Sequence, residues 1–252
     1  MAIDWRDEGV VLSARPHGES SLLVSVLTRE HGRHMGLVRG GAGKAARGLY
    51  QPGNRLSVTW KARLAEHLGN LTAEMADAVA ARLLAAPERL SVLAAACAVA
   101  DGALPEREPM AAVFDDVLAL LALLMDDARA AEAGAALVVW ERALLADLGF
   151  GLDLSRCAAT GRHDTLIYVS PKSGRAVSAS AGEPYGDRLL PLPPFLLGEH
   201  VDLAAVPPAQ VADGLRLTGF FLDRHVFAPR NLGLPAARVR LARRVARGRV
   251  SA

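Results

Sequence analysis

Apolar and polar residues alternate with the period of β-strands along the first third of the chain. The segment Ser20 to Thr28 is apolar on both faces, which predicts a central strand. The full set of predicted strands is Val10 to Leu12, Ser20 to Thr28, His34 to Val38, Leu56 to Trp60 and Leu64 to Leu71. Five short strands within about seventy residues fit a small barrel, and the five-stranded oligonucleotide-binding barrel is the simplest candidate.

The period changes to that of helices from Ala73 onward. The predicted apolar stripes contain Met75, Val79 and Leu83; Leu90 to Ala98; Met110 to Leu121; Leu137 to Leu148; and Val211 to Val226. Prolines and glycines interrupt the pattern between residues 155 and 194. The sequence therefore predicts an α+β protein with three parts. Residues 1–72 form the barrel, 73–154 and 195–252 a helical domain, and 155–194 a small irregular insert.

Composition narrows the class of protein. Apolar residues make up 51% of the 252 residues, enough for a sizeable core. The first residues are too charged for a signal peptide, and the longest apolar run, Val117 to Met125, is too short to span a bilayer. Cys97 and Cys157 suggest no disulfide framework. We expect a globular protein of the cytoplasm, associated with the nucleoid.

Charge is distributed unevenly along the chain, although the formal net charge is only +2. Between Arg29 and Arg63 there are eight basic residues and a single acid, Glu30. Clustered cations of this kind bind phosphate chains by releasing condensed counterions. The predicted nucleic-acid contacts are Arg29, Arg33, Arg39, Lys44, Arg47, Arg55 and Lys61.

After the basic segment, the chain has an acidic segment and then a second basic one. Residues 74–127 hold ten acids and three bases, whereas the last segment carries a run of arginines without acids. Those arginines are Arg238, Arg240, Arg243, Arg244, Arg247 and Arg249. With Leu241 and Val245 four residues apart, they predict a basic amphipathic helix. Its partner is nucleic acid, an acidic protein or the acidic middle of the chain itself.

Aromatic residues are scarce near the basic segment. Tyr50 and Trp60 are the two rings close to it in sequence, and Trp60 belongs to an alternating strand that predicts a core position. Base stacking on exposed rings is a common way to hold single strands. We therefore expect phosphate contacts, rather than stacking, to supply most of the affinity.

Three motifs for catalysis or ligand binding are incomplete in this sequence. The loop at Gly43-Lys44 lacks the first glycine and the Ser or Thr of a nucleotide-binding loop. Cys157 has no partner at the spacing of a zinc site. A nucleophilic Cys157 would need His163 as its base, with Asp164 to orient it. The prediction is therefore a protein without metal, cofactor or catalytic residues, and a hydrolase built on Cys157 is the weaker alternative.

Several segments together resemble the RecO family of bacterial recombination mediators. They are Glu8 to Leu12, His17 to Ser21, Thr28 to Gly32, Gly36 to Gly40, Gln51 to Gly53, Leu148 to Asp153 and Ser170 to Gly174. Each segment is weak alone, but they occur in order over most of the chain. The resemblance implies an oligonucleotide-binding barrel followed by a helical domain with a zinc-finger-like insert. Where many relatives have four cysteines, this chain has Cys157, Thr160, Ser178 and Ala181, so the resemblance does not extend to zinc.

The resemblance also implies a function. The family binds single- and double-stranded DNA, anneals complementary strands, and works with RecR to load RecA onto DNA coated by single-stranded-DNA-binding protein. It implies DNA contact at Arg39, Lys44 and Arg47. The acidic tail of the single-stranded-DNA-binding protein would need arginines beside an apolar groove, for which the candidates are Arg216, Arg224 and Arg230. A helical interaction scaffold that does not touch DNA is the alternative from another class.

Overall fold

In a computed structural model of the chain, the described residues are 3–163, 165–198 and 201–248, without the side chain of Ala45. They divide into two compact units, Met1–Met125 and Asp126–Ala252. The first unit combines a five-stranded sheet with helices, and the second is mainly helical. The predicted α+β class is confirmed.

Five strands of the first unit form a closed barrel in the order β1-β2-β3-β5-β4. Their bounds are β1 (Ile3–His17), β2 (Ser21–Thr28), β3 (Gly32–Val38), β4 (Arg55–Ala62) and β5 (Asn70–Asp77). All pairs are antiparallel except β3 with β5, which is parallel and pairs only Leu37 with Asn70. The predicted central strand is β2, which lies between β1 and β3.

Strand alternation places one apolar row inside the barrel. On β4 the buried residues are Leu56, Val58, Trp60 and Ala62, and the residues between them face outward. Trp60 is 1% exposed, as its alternating strand predicted. Its Nε1–H donates to the carbonyl oxygens of Met35 (3.1 Å) and Leu68 (3.0 Å), so this core residue ties β3 to the β4–β5 turn.

The predicted fifth strand, Leu64 to Leu71, was wrong in its position. Leu64 and Leu68 are exposed in the turn between β4 and β5, and the strand begins at Asn70. The helix predicted to begin at Ala73 was also wrong, because β5 continues to Asp77. A spacing of four residues, as between Met75 and Val79, is a multiple of the strand period of two and also fits a helix.

Two glycines allow the close approach of β3 to β5. Gly69 has a φ of +68°, and a Cβ there would lie 2.4 Å from Trp60 Cε2. At Gly36 a Cβ would lie 2.5 Å from the Cβ of Leu71. A side chain at either position would therefore push β5 away from the barrel core.

The remaining elements of the first unit are helices. They are α1 (Lys44–Leu49), α2 (Val79–Arg82), α3 (Pro87–Ala103) and α4 (Ala111–Met125). The glycine-rich segment was predicted to continue as a basic loop at Lys44, but α1 begins there. Gly43 is the residue before α1. The segment Lys44–Leu49 that follows it contains alanine and leucine, which favour a helix. Helix α3 packs against β1.

The second unit contains helices and a three-stranded sheet. Its main elements are α5 (Ala133–Asp147), β6 (Leu166–Val169), β7 (Ala176–Ser178), α6 (Ala179–Gly182), β8 (Leu190–Pro191), α7 (Pro208–Leu222) and α8 (Ala236–Gly248). The sheet order is β7-β6-β8, so residues 155–194 are more regular than their prolines and glycines predicted. The predicted C-terminal basic helix corresponds to α8, while Arg249 lies outside the described residues.

A buried ion pair joins three helices of the second unit. Arg238 on α8 is 1% exposed, and Glu141 on α5 is fully buried. The guanidinium donates to both carboxylate oxygens at 2.5 and 2.8 Å and to the carbonyl oxygen of Leu215 on α7 at 2.8 Å. The hydroxyl of Thr218 donates to the same carboxylate at 2.5 Å. This network fixes α8 on α5 and α7.

None of the helices in the described part of the chain combines the length and apolarity needed to cross a bilayer.

Candidate nucleic-acid interface

Two of the predicted contact residues are held by acids from the middle of the chain. Arg29 forms two hydrogen bonds with Asp115 at 2.5 and 3.2 Å and lies over the ring of Phe114. The Asp115 carboxylate raises the pKa of Arg29 further above its ordinary value. Arg33 donates to the carbonyl oxygen of Leu104 at 2.9 Å. Its guanidinium also lies 3.7 Å from Asp101 and 3.4 Å from Glu106. These two arginines attach the barrel to the α3–α4 region.

Two more of the predicted residues have acidic neighbours on β1. Arg55 pairs with Glu8, and Lys61 lies 3.4 Å from Asp4. Both partners of the Lys61 pair have side chains 63% exposed. An exposed pair of this kind contributes little to stability, so Lys61 can exchange its partner for a phosphate at small cost. Arg55 is half-buried and less available.

Arg39, Lys44 and Arg47 differ from the other four. All three are exposed, and among the described residues none of them forms an ion pair with an acid. Arg39 donates from Nε to the side-chain oxygen of Asn70 at 3.1 Å. Asn70 begins β5 and is the register partner of Lys61 on β4. Arg39, which follows β3, and Lys61 therefore lie on opposite sides of the start of β5.

A groove runs beside these cations, where β3 and β5 make their single pairing. Its volume is about 390 Å³. The lining residues include Leu37 and Arg39 from β3 and the turn after it, Ala46 and Leu49 from α1, and Thr72 from β5. Lys44 and Arg47 belong to the same short helix α1. We call this feature the β3–β5 groove. Arg39 belongs to its lining, and Lys44 and Arg47 lie on the helix whose residues Ala46 and Leu49 form part of its wall.

The sequence missed the acids that neutralise the other cations. Asp115 lies 86 residues from Arg29, and Glu8 lies 47 residues from Arg55. A count of charges along the chain therefore overstated the free positive charge of the basic segment. The contact role of all seven residues stays a prediction, and the geometry favours Arg39, Lys44 and Arg47.

Aromatic rings near the groove are buried. Tyr50 is 4% exposed and Trp60 1%, so neither presents a face to a base. At the end of the barrel, Trp5 stacks on His31 with ring centroids 4.1 Å apart and meets the edge of His34 at 4.9 Å. These rings close the barrel interior.

The buried His34 makes the barrel sensitive to acid. Burial lowers the pKa of His34 below its ordinary value, and the hydrogen bond from Nδ1–H to the carbonyl oxygen of His31 offsets this only in part. The folded state therefore holds the neutral ring, whereas the unfolded chain takes up a proton near pH 6.5. The contribution of the neutral His34 ring to the stability of the fold is fully present above that pH. It is lost as the pH falls toward the pKa of His34 in the folded state.

We therefore expect the barrel to be less stable at about pH 5.5 than at about pH 7.5, as measured by urea unfolding. The matched control is His34→Gln, which cannot titrate and should show a smaller loss over the same interval. Equal losses in the two proteins would assign the acid sensitivity to other groups.

Cys157 and His163 have separate hydrogen-bond partners. The residue is fully buried, and its Sγ accepts a hydrogen bond from the backbone N–H of Ser178 at 3.3 Å. Burial raises the pKa of this thiol, but hydrogen bonds from Ser178 and Thr160 outweigh it and bring the pKa to about 6. His163 bonds instead to the carbonyl oxygen of Ser155 at 2.7 Å. Asp164 lies outside the described residues. The proposed Cys–His pair is not formed.

Metal-ligating side chains do not cluster anywhere in the described ranges, which include Cys157, Thr160, Ser178 and Ala181. Ser178 precedes α6, and Cys157 is its hydrogen-bond partner rather than a fellow ligand.

An apolar groove of about 500 Å³ lies between α7 and α8. Its lining includes Leu215, Phe220 and Leu234, with Arg216 and Arg243 beside them. Of the three predicted partner-binding arginines, Arg216 borders this groove. Arg224 instead donates to the carbonyl oxygen of Pro171 at 2.8 Å, and Arg230 ends the short helical turn that follows. Arg224 and Arg230 are therefore not part of the groove lining that contains Arg216.

Comparison with known proteins identifies the family. The family description "Recombination protein O N terminal" matches residues 1–79, and "Recombination protein O C terminal" matches residues 84–232. The chain belongs to the RecO family. A RecO protein of Rhodospirillum centenum, named DNA repair protein RecO, is 54% identical over 96% of this chain and 94% of its own length. The protein of that name from Rhodospirillum rubrum is 53% identical over 97% of both chains.

The RecO matches separate between residues 79 and 84, whereas the two compact units of the structure separate after Met125. The N-terminal match contains the whole barrel, with the β3–β5 groove, and the C-terminal match begins before α3 and ends before α8. A third relative, the DNA repair protein RecO of Methylobacterium nodulans, is 49% identical over 94% of this chain and 95% of its own length. The sequence resemblance to the RecO family is confirmed.

Proposed function

We propose that this RecO-family chain is a DNA-binding recombination mediator that anneals complementary single strands. In this role it works with RecR to help load RecA onto DNA coated by single-stranded-DNA-binding protein. The observation that carries the proposal is the β3–β5 groove, with Arg39 in its lining and Lys44 and Arg47 on the bordering helix α1. All three are exposed, and none pairs with an acid in the described part of the chain. The relatives named DNA repair proteins support the same conclusion.

The barrel is assigned here as an oligonucleotide-binding fold. Five strands close in the order β1-β2-β3-β5-β4, with a parallel pairing between β3 and β5. Such barrels bind nucleic acid at the face of strands 2 and 3 and at the adjoining loops, including the loop between strands 4 and 5. The β3–β5 groove adjoins both features, since Arg39 follows β3 and Asn70 follows the β4–β5 turn.

Annealing requires two like-charged strands to lie close together while their bases stay free. Cations that contact phosphate reduce the repulsion between the strands. Because Tyr50 and Trp60 are buried, the groove offers no ring from either residue to hold a base. Contacts of this kind leave both the Watson–Crick edges and the faces of the bases free, whereas stacking on a protein ring occupies a face that the base needs in a duplex.

The partner proposal concerns the groove between α7 and α8. An acidic protein tail suits a site with an apolar wall and flanking arginines. Arg216 and Arg243 supply positive charge in a lining that also contains Asp213 and Asp223, and Leu215 and Phe220 supply part of the wall. Arg224 and Arg230 lie further along the chain, and Arg216 is the member of the predicted set that this groove supports.

Removing the groove cations tests the central proposal. The variant Arg39→Gln/Lys44→Gln/Arg47→Gln is expected to bind oligo(dT) with a salt slope smaller by about 2, since each phosphate contact on a single strand contributes about 0.7. At about 0.1 M salt this corresponds to roughly 100-fold weaker binding. Fluorescence anisotropy over a salt series measures both quantities, and annealing of labelled complementary strands should slow in parallel.

The control is a variant with the same change in charge at exposed positions outside α1 and the turn after β3, Arg15→Gln/Arg82→Gln/Arg129→Gln. Its salt slope should stay close to that of the natural chain. If both triple variants bind and anneal like the natural chain, the groove is not the DNA site. Absence of any DNA binding by the natural chain at low salt would favour the scaffold alternative.

A further inference from the structure

The exposed face of α8 in the second unit carries several arginines. A helix places residues about 100° apart around its axis, so Arg240, Arg243 and Arg247 fall within an arc of about 60°. Arg238, Leu241 and Val245 occupy the opposite side, where Arg238 and Leu241 are buried. The three arginines therefore form one row on the solvent side. We call them the α8 arginine row.

The row is held in a fixed position by the buried side of the same helix. Arg238 is bound to Glu141, Thr218 and the carbonyl oxygen of Leu215, and Leu241 is 5% exposed. A helix anchored in this way presents its charges without a further cost in ordering the backbone. Arg240, Arg243 and Arg247 are exposed, and none of them has an acidic partner among the described residues.

The surroundings of the row indicate the class of ligand. A basic amphipathic helix can lie on a membrane only if its apolar face is free to enter the lipid, and here that face packs on α7. An acidic protein tail would need apolar surface beside the charges. Arg243 borders the apolar groove, but Arg240 and Arg247 are not part of its lining. Two of the three cations in the row, Arg240 and Arg247, lie outside that lining, and this favours a phosphate chain as the ligand.

We propose that the α8 arginine row is a second DNA-binding surface, separate in sequence from the β3–β5 groove, that contacts the phosphates of a DNA strand. Arg240 and Arg247 are about 10.5 Å apart along the helix axis, a length that covers roughly three phosphates of one strand of a DNA duplex. This inference rests on the proposed function. It adds a second point of attachment, which would let one chain hold DNA at two places during annealing.

The experiment removes the two arginines that lie outside the apolar groove. The full-length variant Arg240→Gln/Arg247→Gln is expected to bind oligo(dT) of about 30 nucleotides with a salt slope smaller by about 1.4. Binding at about 0.1 M salt should weaken roughly 25-fold. The variant Arg240→Lys/Arg247→Lys keeps the charges and should retain the slope. The single variant Arg247→Gln should show about half of the effect and guards against misfolding of the double variant.

The matched control is Arg156→Gln/Arg188→Gln, which removes two exposed arginines of the same unit and should leave the slope unchanged. An unchanged slope in Arg240→Gln/Arg247→Gln, with a reduced slope in the groove variant, would overturn this inference and leave the proposed function standing. Unchanged slopes in both would contradict the proposed function as well. Loss of binding to a fluorescent acidic peptide, with DNA binding intact, would make α8 a protein-docking face and also overturn the inference.

Discussion

Replacing Glu141 by alanine is expected to destabilise the second unit by about 3 to 5 kcal/mol, because the buried Arg238 guanidinium then loses its compensating charge. Arg238 would keep hydrogen bonds to Leu215 and Thr218, which do not neutralise it. The loss should appear as a lower midpoint of urea unfolding and as faster hydrogen exchange in peptides from α5, α7 and α8.

The double variant Glu141→Leu/Arg238→Met provides the comparison. Removing both charges together should cost far less than removing one, since replacement of a buried ion pair by apolar side chains of similar volume is often close to neutral. Arg238→Met alone should resemble Glu141→Ala, because it leaves the carboxylate buried and unpaired. If Glu141→Ala were as stable as the double variant, the ion pair would not be what holds α8 in place.

Replacing Trp60 by alanine is the second change with a large expected effect, a loss of about 3 to 5 kcal/mol in the stability of the barrel. The indole is almost fully buried, stacks on Trp5 at 5.7 Å and meets the edge of His34 at 5.2 Å. It also bonds two carbonyl oxygens, at Met35 and Leu68. Urea unfolding and hydrogen exchange of the β3 and β5 peptides measure the loss.

Trp60→Phe separates packing from hydrogen bonding. The ring of phenylalanine fills part of the volume but cannot donate to Met35 or Leu68, so we expect an intermediate loss and faster exchange near the β4–β5 turn. Equal losses for Trp60→Phe and Trp60→Ala would mean that the N–H, rather than the ring volume, stabilises this end of the barrel.

The strands that the sequence located well are those with one clear apolar row or with apolar residues on both faces. β4 alternates through Leu56, Val58 and Trp60, and β2 is buried between two neighbours. β5 was misplaced because Leu71 is its only buried residue, and its exposed Met75 has a spacing to Val79 that suits either period.

The charges were harder to interpret than the strands. Asp115, Asp101 and Glu106 belong to the acidic middle of the sequence, residues 74–127. The fold brings Asp115 to Arg29 and brings Asp101 and Glu106 to Arg33. No local pattern reveals a partner 86 residues away. Sequence therefore located the basic segment, and the structure distinguished the arginines that stabilise the fold from those available to a ligand.

The buried ion pair between Glu141 and Arg238 could not be predicted from the sequence pattern either. Glu141 belongs to the apolar stripe of α5, and Arg238 lies 97 residues later at the start of the arginine-rich tail. A charged residue within an apolar stripe is a signal that a buried partner exists. The sequence does not show which of the tail arginines that partner is.

The way α2, α3 and the residue after α3 contact the barrel decides where the chain can be shortened. Asn54 accepts a hydrogen bond from the backbone N–H of Ala80, Arg33 reaches the carbonyl oxygen of Leu104, and Leu93 fills the space above Gly53. A fragment that stops after β5 loses all three and exposes the apolar side of β1 to water. Dissection of this protein for crystallisation or spectroscopy should cut after Met125, where the first compact unit ends.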